Sequence, residues 1–119
     1  MKKILVIEDN ENNLYLMRFI LSKNGYQVIE AREGIDGVEM ALKEKPDLVI
    51  MDIQLPDISG LEATQKIRAA ETEGKMAIVA VTSYAMVGDR EKALSAGCTG
   101  YIEKPINPET FIGKIQKFL

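Results

Sequence analysis

Two four-residue apolar runs in this chain end in acid. Ile4-Leu5-Val6-Ile7 runs into Glu8-Asp9, and Leu48-Val49-Ile50-Met51 runs into Asp52. A short continuous apolar run reads as a buried strand, so each run holds its carboxylates at the rim of a sheet. Side by side, the two strands crowd three carboxylates into one spot. Like charges that close do not all stay ionised without a cation or a shared proton. The chemistry served by such a cluster is capture of a hard divalent cation. Mg2+ prefers octahedral oxygen ligands and is held by one or two carboxylates together with a phosphate. A carboxylate beside that ion is also a nucleophile toward a phosphoryl group, forming an acyl phosphate. Thr82 and Lys104, at the ends of two later strands, offer a hydroxyl and a point charge to the incoming oxygens. Backbone N–H groups just past the strand ends are further donors.

Asp9 and Asp52 lie 43 positions apart, so only the fold brings them together. Residues 3–7 read as the first strand. Asn10 caps a helix over 11–24, in which Leu14, Met17, Ile20 and Leu21 recur at helical spacing, and Asn24-Gly25 stops it. Residues 27–30 form a second strand. Gly34 to Lys45 forms a helix with Val38, Ala41 and Leu42 on one face and Pro46 just beyond its end. Residues 47–51 are the most continuous apolar strand, which places it centrally with helices on both faces. The turn-rich loop Leu55 to Gly60 leads into a helix running to about Thr72. Residues 77–81 form the fourth strand, 87–96 a helix ending at Gly97, and 99–102 the fifth strand. Pro108 opens the last helix, where its missing N–H costs nothing, and Phe111, Ile112, Ile115 and Phe118 give that helix its apolar face. The order is (βα)5 in one doubly wound α/β domain over 1–119, with right-handed crossovers. Ligands of such sheets gather outside the carboxyl ends of the strands, where every residue singled out above sits.

The 119 residues suffice for one core that buries roughly two thirds of the unfolded surface. The net charge of -3, with basic residues scattered, argues against nucleic acid or a membrane surface as a partner. Cys98 is the single cysteine, which rules out an internal disulfide and suits a reducing compartment. The apolar stretch after Met1-Lys2-Lys3 is too short for an export signal or a membrane span, so a cytoplasmic location is expected. Histidine is absent, so any phosphohistidine must come from another protein.

The constellation closely resembles the receiver domain of two-component response regulators, the CheY-like superfamily, over essentially the whole chain. The resemblance implies a flavodoxin-like sheet in the order 2-1-3-4-5. It makes Asp52, within Leu48-Val49-Ile50-Met51-Asp52-Ile53-Gln54-Leu55-Pro56, the phosphoacceptor. It gives Mg2+, with Mn2+ as an acceptable substitute, to Asp9, Asp52 and the backbone carbonyl of Gln54, with Glu8 acting mainly through water. Lys104 contacts the phosphoryl group and joins Pro105 by a cis peptide bond. Thr82 is the switch hydroxyl, and Tyr101 the aromatic that swings inward on activation. The backbone amides of Ile53 and Ser83 contact the phosphoryl group. Gln54 and Tyr84 tune dephosphorylation, and bulky Tyr84 implies slow loss of phosphate. The implied partners are a histidine kinase or histidine phosphotransfer protein upstream, and a protein that reads the face formed by the fourth helix, fifth strand and fifth helix. Such a protein assists its own phosphorylation and dephosphorylation without being an enzyme of the usual kind. The stretch Tyr84 to Arg90 is similar to receivers attached to hybrid kinases and to stand-alone receivers in phosphorelays. The chain as a whole resembles stand-alone DivK-type or hybrid-kinase and phosphorelay receivers, and Ala85, Met86 and Val87 are a candidate partner surface.

Plainer readings stand beside these. Asp47 and Asp57 read as solvated loop residues, Asp36, Glu62 and Asp89 as helix charges, and Cys98 as a small packing group. A dinucleotide-binding protein would follow its first strand with a glycine-rich turn, whereas this chain has Glu8-Asp9-Asn10. No Gly-x-x-x-x-Gly-Lys-Ser/Thr run is present, and 119 residues leave little room for the cap of a phosphohydrolase. The remaining alternatives are a receiver portion of a longer hybrid kinase or transcription regulator, and an interaction module that is never phosphorylated. The Met1 start favours an N-terminal or stand-alone receiver.

Overall fold

The computed structural model describes residues 1–72, 76–83 and 88–119. Ten elements alternate: β1 (Lys3–Ile7), α1 (Glu11–Lys23), β2 (Gln27–Ala31), α2 (Gly34–Glu44), β3 (Leu48–Asp52), α3 (Gly60–Ala70), β4 (Ile78–Thr82), α4 (Asp89–Ala96), β5 (Gly100–Glu103) and α5 (Pro108–Gln116). The five strands form one parallel sheet in the order β2-β1-β3-β4-β5, as expected.

Strand side chains alternate between the two faces of the sheet, and each face has its own core. Ile4, Val6, Ile50, Val79 and Val81 pack with Leu14, Met17 and Leu21 of α1 and with Phe111 and Ile115 of α5. Leu5, Ile7, Val49, Met51, Ile78 and Ala80 pack with Ala41 of α2, Ala63 and Ile67 of α3, and Ala93 of α4. β3 and β4 are buried along their whole length. A strand covered on both faces needs an unbroken apolar run, which is what made β3 readable as central.

Three strands run one residue later than hydrophobicity places them. β3, β4 and β5 end at Asp52, Thr82 and Glu103, because the ladder continues into the polar residues: Asp52 is in register with Val81, and Thr82 with Glu103. Ala31 likewise extends β2 opposite Ile7. α3 stops at Ala70, before Thr72. α4 is helical from Asp89, and the expected start at Val87 lies outside the described residues. Asn10 does cap α1, accepting the Asn13 N–H at 3.0 Å. Asp47 is not a merely solvated acid: its Oδ2 accepts the Lys3 N–H at 2.8 Å and its own N–H donates to the Lys3 carbonyl at 2.8 Å. It ties β1 to the start of β3 at the end of the sheet remote from the carboxylate cluster.

The other end depends on a close approach at Gly60. A Cβ there would lie 2.2 Å from the Asp52 carbonyl oxygen and 2.8 Å from the Ile53 Cα, both backbone atoms that cannot swing aside. Gly60→Ala is expected to lose about 2 kcal/mol or more of stability through overpacking. Chemical denaturation checks this, with a wild-type midpoint contradicting it.

Candidate functional site

β1 and β3 are neighbours in the sheet, so the residues that end them meet. Glu8 follows β1 directly, its N–H donating to the Ala31 carbonyl at 3.0 Å. Asp52 is the last residue of β3. Glu8 is 1% exposed and Asp52 3% exposed, whereas Asp9 faces solvent. One carboxylate oxygen from each of Glu8, Asp9 and Asp52 lies within 4.8 Å of the other two. The sequence-derived cluster therefore exists in space.

Lys104 meets it from the end of β5. Its Nζ lies 2.8 Å from Glu8 Oε1 and 3.3 Å from Asp52 Oδ1. Its backbone N–H donates to the Thr82 carbonyl at 2.7 Å, and the Lys104-Pro105 peptide bond is cis. The Gln54 N–H donates to Asp52 Oδ1 at 3.2 Å, and the Asn10 N–H to Glu8 Oε2 at 3.2 Å. Among the described residues, buried Glu8 Oε1 has no standard hydrogen-bond donor, and the Lys104 ammonium lies beside it. Two buried carboxylates, an exposed third and an oxygen lacking a hydrogen bond form a hard donor set that fits a divalent cation.

The electrostatics follow from burial. Desolvation above all pushes the Asp52 carboxyl up to about 7, and the hydrogen bond and charge of Glu8 push it the same way. Lys104 and the Gln54 N–H pull it only partly back.

Thr82 is buried at the last position of β4, and Ser83 beside it is exposed. The Ile53 amide, which the resemblance gives to the phosphoryl group, is engaged in the sheet. Its N–H donates to the Val81 carbonyl at 3.0 Å because the ladder runs one residue past β3. The backbone donor that reaches Asp52 is that of Gln54. Tyr101, in register with Ala80, is half-buried against the α2–α3–α4 side of the core. Burial first, then the charges of Asp89 and Glu103, push its hydroxyl up. Tyr84, and the surface expected at Ala85, Met86 and Val87, lie outside the described residues. Cys98 packs against the core with its Sγ 3.7 Å from Thr64 Oγ1, and burial pushes its thiol up.

Sequence reasoning missed Asp57. Its Oδ1 accepts the Gly34 N–H at 2.7 Å and its Oδ2 the Ile35 N–H at 2.9 Å, so it caps α2 from a loop far away in sequence. Those bonds, that of Ile35 foremost, hold its carboxyl down at about 2. One signal pointed there: Glu33, the residue before α2, is a poor capping residue and its side chain makes no capping bond.

The raised Asp52 value has a testable sign. Between about pH 4, the ordinary aspartate range, and about pH 7, the folded chain holds a proton that the unfolded chain has lost. Stability without divalent cations therefore falls as pH rises through that window. Asp52→Asn removes the dependence, so its stability advantage over wild type is expected to be large at pH 8 and to vanish toward pH 4. Denaturant titrations at several pH values in chelator check this, and a pH-independent difference contradicts it.

The geometry has counterparts among known proteins. The family model "Response regulator receiver domain" matches residues 4–116. The polar-differentiation response regulator DivK of Brucella ovis is 41% identical over 118 residues, covering 99% of this chain and 96% of its own. The receiver domain of sensor histidine kinase PA1611 from Pseudomonas aeruginosa PAO1, solved with a magnesium ion coordinated in its active-site cleft, has a TM-score of 0.89 at 35% identity, covering 98% of this chain and 96% of its own. A CheY-like receiver domain protein from Methanospirillum hungatei JF-1 has a TM-score of 0.89 at 32% identity, covering 98% of this chain and 92% of its own. With its fold and nearly its whole length matched, the chain belongs to the response regulator receiver domain family.

Proposed function

We propose that Asp52 accepts a phosphoryl group from a phosphohistidine on a histidine kinase or histidine phosphotransfer protein, and that the resulting charge switches the surface built by α4, β5 and α5. The observation that carries this reading is the pairing of buried Asp52 with Lys104 inside a carboxylate triad. An Asp52 oxygen attacks phosphorus as the bond to the donor imidazole nitrogen breaks. Lys104, already within reach of Asp52, neutralises charge on the transferred oxygens. Mg2+, or Mn2+ in its stead, would be held by Asp9, Asp52 and the Gln54 carbonyl with Glu8 acting through water, and would supply further positive charge to those oxygens.

The Thr82 hydroxyl then bonds the new phosphoryl group and Tyr101 moves inward, so a local charge is read out by packing. Tyr101 itself lines a groove together with Arg90 of α4, Glu103 of β5, Lys114 of α5 and Lys117 just past it. Three cations against one carboxylate suit an acidic downstream partner. Gln54, just after Asp52 in sequence, and Tyr84, just after Thr82, set how fast water removes the phosphoryl group. We place the protein in the cytoplasm, in keeping with its lone buried thiol. Among the described residues, no helix is long and apolar enough to cross a membrane.

Incubation with acetyl phosphate and Mg2+ tests the reading. One phosphoryl group is expected on Asp52 by peptide mass mapping, none in Asp52→Asn, and none in excess chelator. Lys104→Ala is expected to slow uptake about a hundredfold, the usual cost of removing a charge-stabilising donor. Uptake that persists in Asp52→Asn, or none in the wild type, overturns the proposal. The second outcome, with partner binding intact, would make the chain an interaction module.

A further inference from the structure

The loop over residues 53–59 carries the backbone that meets Asp52, and its two ends are held differently. At the inner end, the Gly60 N–H donates to the Ile53 carbonyl at 2.7 Å, and Gly60 sits flush on the Asp52 backbone. Within that frame, the Gln54 N–H reaches Asp52 Oδ1 at 3.2 Å. At the outer end, Asp57 spans the first two amides of α2 at 2.7 and 2.9 Å. Ile58, next to it, packs so closely on α2 that a Cβ on Gly34 would fall 2.5 Å from its Cγ1.

α2 is itself fixed to the other acid-bearing strand. A Cβ on Gly37 would fall 2.4 Å from Ile7 Cδ1, and Ile7 immediately precedes Glu8. A continuous path of contacts therefore runs from Glu8 through Ile7, α2 and Asp57 to the loop at Asp52. We infer that Asp57 is a positioning residue for the phosphoacceptor: its clamp on α2 fixes the loop in the place from which Gln54 meets Asp52 and the carboxylate cluster.

The physical basis is ordinary. Two charge-assisted bonds from one rigid carboxylate fix both position and direction, and the N-terminus of a helix favours the negative charge. The carboxyl stays ionised well into the acid range, so the clamp holds wherever the site works. Without it, the outer end of the loop keeps the Ile58 packing but loses its fixed hydrogen-bond register, and Gln54 no longer has one position. Asp57 is not one of the clustered carboxylates, and both its oxygens are engaged by α2 amides. It acts through Gln54.

The inference rests on the phosphoacceptor reading, and the test separates the two. Mg2+ is titrated into the full chain without any phosphoryl donor, with the Gln54 and Ile53 amide resonances followed by NMR. Asp57→Ala is expected to weaken Mg2+ binding about tenfold, the usual effect of losing a residue that orients a metal ligand. It should also shift the Gln54 amide before any Mg2+ is added. Asp57→Asn, which keeps one acceptor, should fall between wild type and Asp57→Ala. Asp47→Ala is the control, an acid lost from a backbone clamp at the far end of the sheet, and it should lower the melting temperature while leaving Mg2+ affinity unchanged. Wild-type Mg2+ affinity in a folded Asp57 variant overturns the inference. So does equal weakening in Asp47→Ala, which would make the effect one of general stability. If the wild-type chain binds no Mg2+, the phosphoacceptor reading fails with it.

Discussion

The rest of the structure depends on how Glu8, Asp9 and Asp52 are made to coexist. Two of these carboxylates are almost wholly buried, and among the described residues the Lys104 ammonium reaches both. Burial of Asp52 first, and the buried Glu8 beside it second, outweigh the one ammonium and raise the Asp52 carboxyl. Nothing in the apolar core requires such a cluster. A chain selected for stability alone would replace these acids, so their burial marks a site whose complement arrives from outside.

The fold supplies the crowding at little cost elsewhere. A parallel order in which β1 and β3 are neighbours places the residues after both strands at one rim. The two cores clamp the strands from both faces, so neither acid end can retreat. Gly60 and Gly37 then admit the backbone of the acceptor loop and of α2 to distances that any larger residue would forbid. Rigidity at the rim is what converts a set of acids into a site, since ligand positions must hold to fractions of an ångström.

What the sequence disclosed, and what it hid, follows from the range of each interaction. Glu8, Asp52, Thr82 and Lys104 were legible because the end of an apolar run is a local property, and five alternating units allow few topologies. Leu14, Met17, Ile20 and Leu21 were legible as the buried stripe of α1 for the same reason. Strand ends came one residue short because hydrophobicity stops at Met51 and Val81, whereas ladder hydrogen bonds do not depend on side-chain polarity. That single residue also decides the Ile53 amide, which the ladder takes, leaving Gln54 at the acceptor. Asp47 and Asp57 were misread together. An acid in a turn-rich stretch looks the same whether water or a distant amide receives it, and the amides of Lys3, Gly34 and Ile35 lie far away in sequence.

The charge state of Asp52 connects the resting site to its chemistry. A protonated carboxyl is a poor nucleophile, and burial together with Glu8 shifts Asp52 toward that form. Positive charge brought beside Asp9 and Asp52 lowers the cost of ionising the acceptor, so cation capture and proton release are linked. On the proposed function, the same burial that raises the proton affinity would also strengthen interactions with an incoming phosphoryl group, because little water is present to screen them. Lys104 cannot do this alone, for its ammonium is shared between Asp52 and a Glu8 oxygen that has no hydrogen bond of its own. An exposed aspartate would ionise freely but bind the phosphoryl oxygens weakly. A buried one without partners would stay protonated. Asp52 sits between these limits, and its burial beside Glu8 holds it there until a cation shifts the balance.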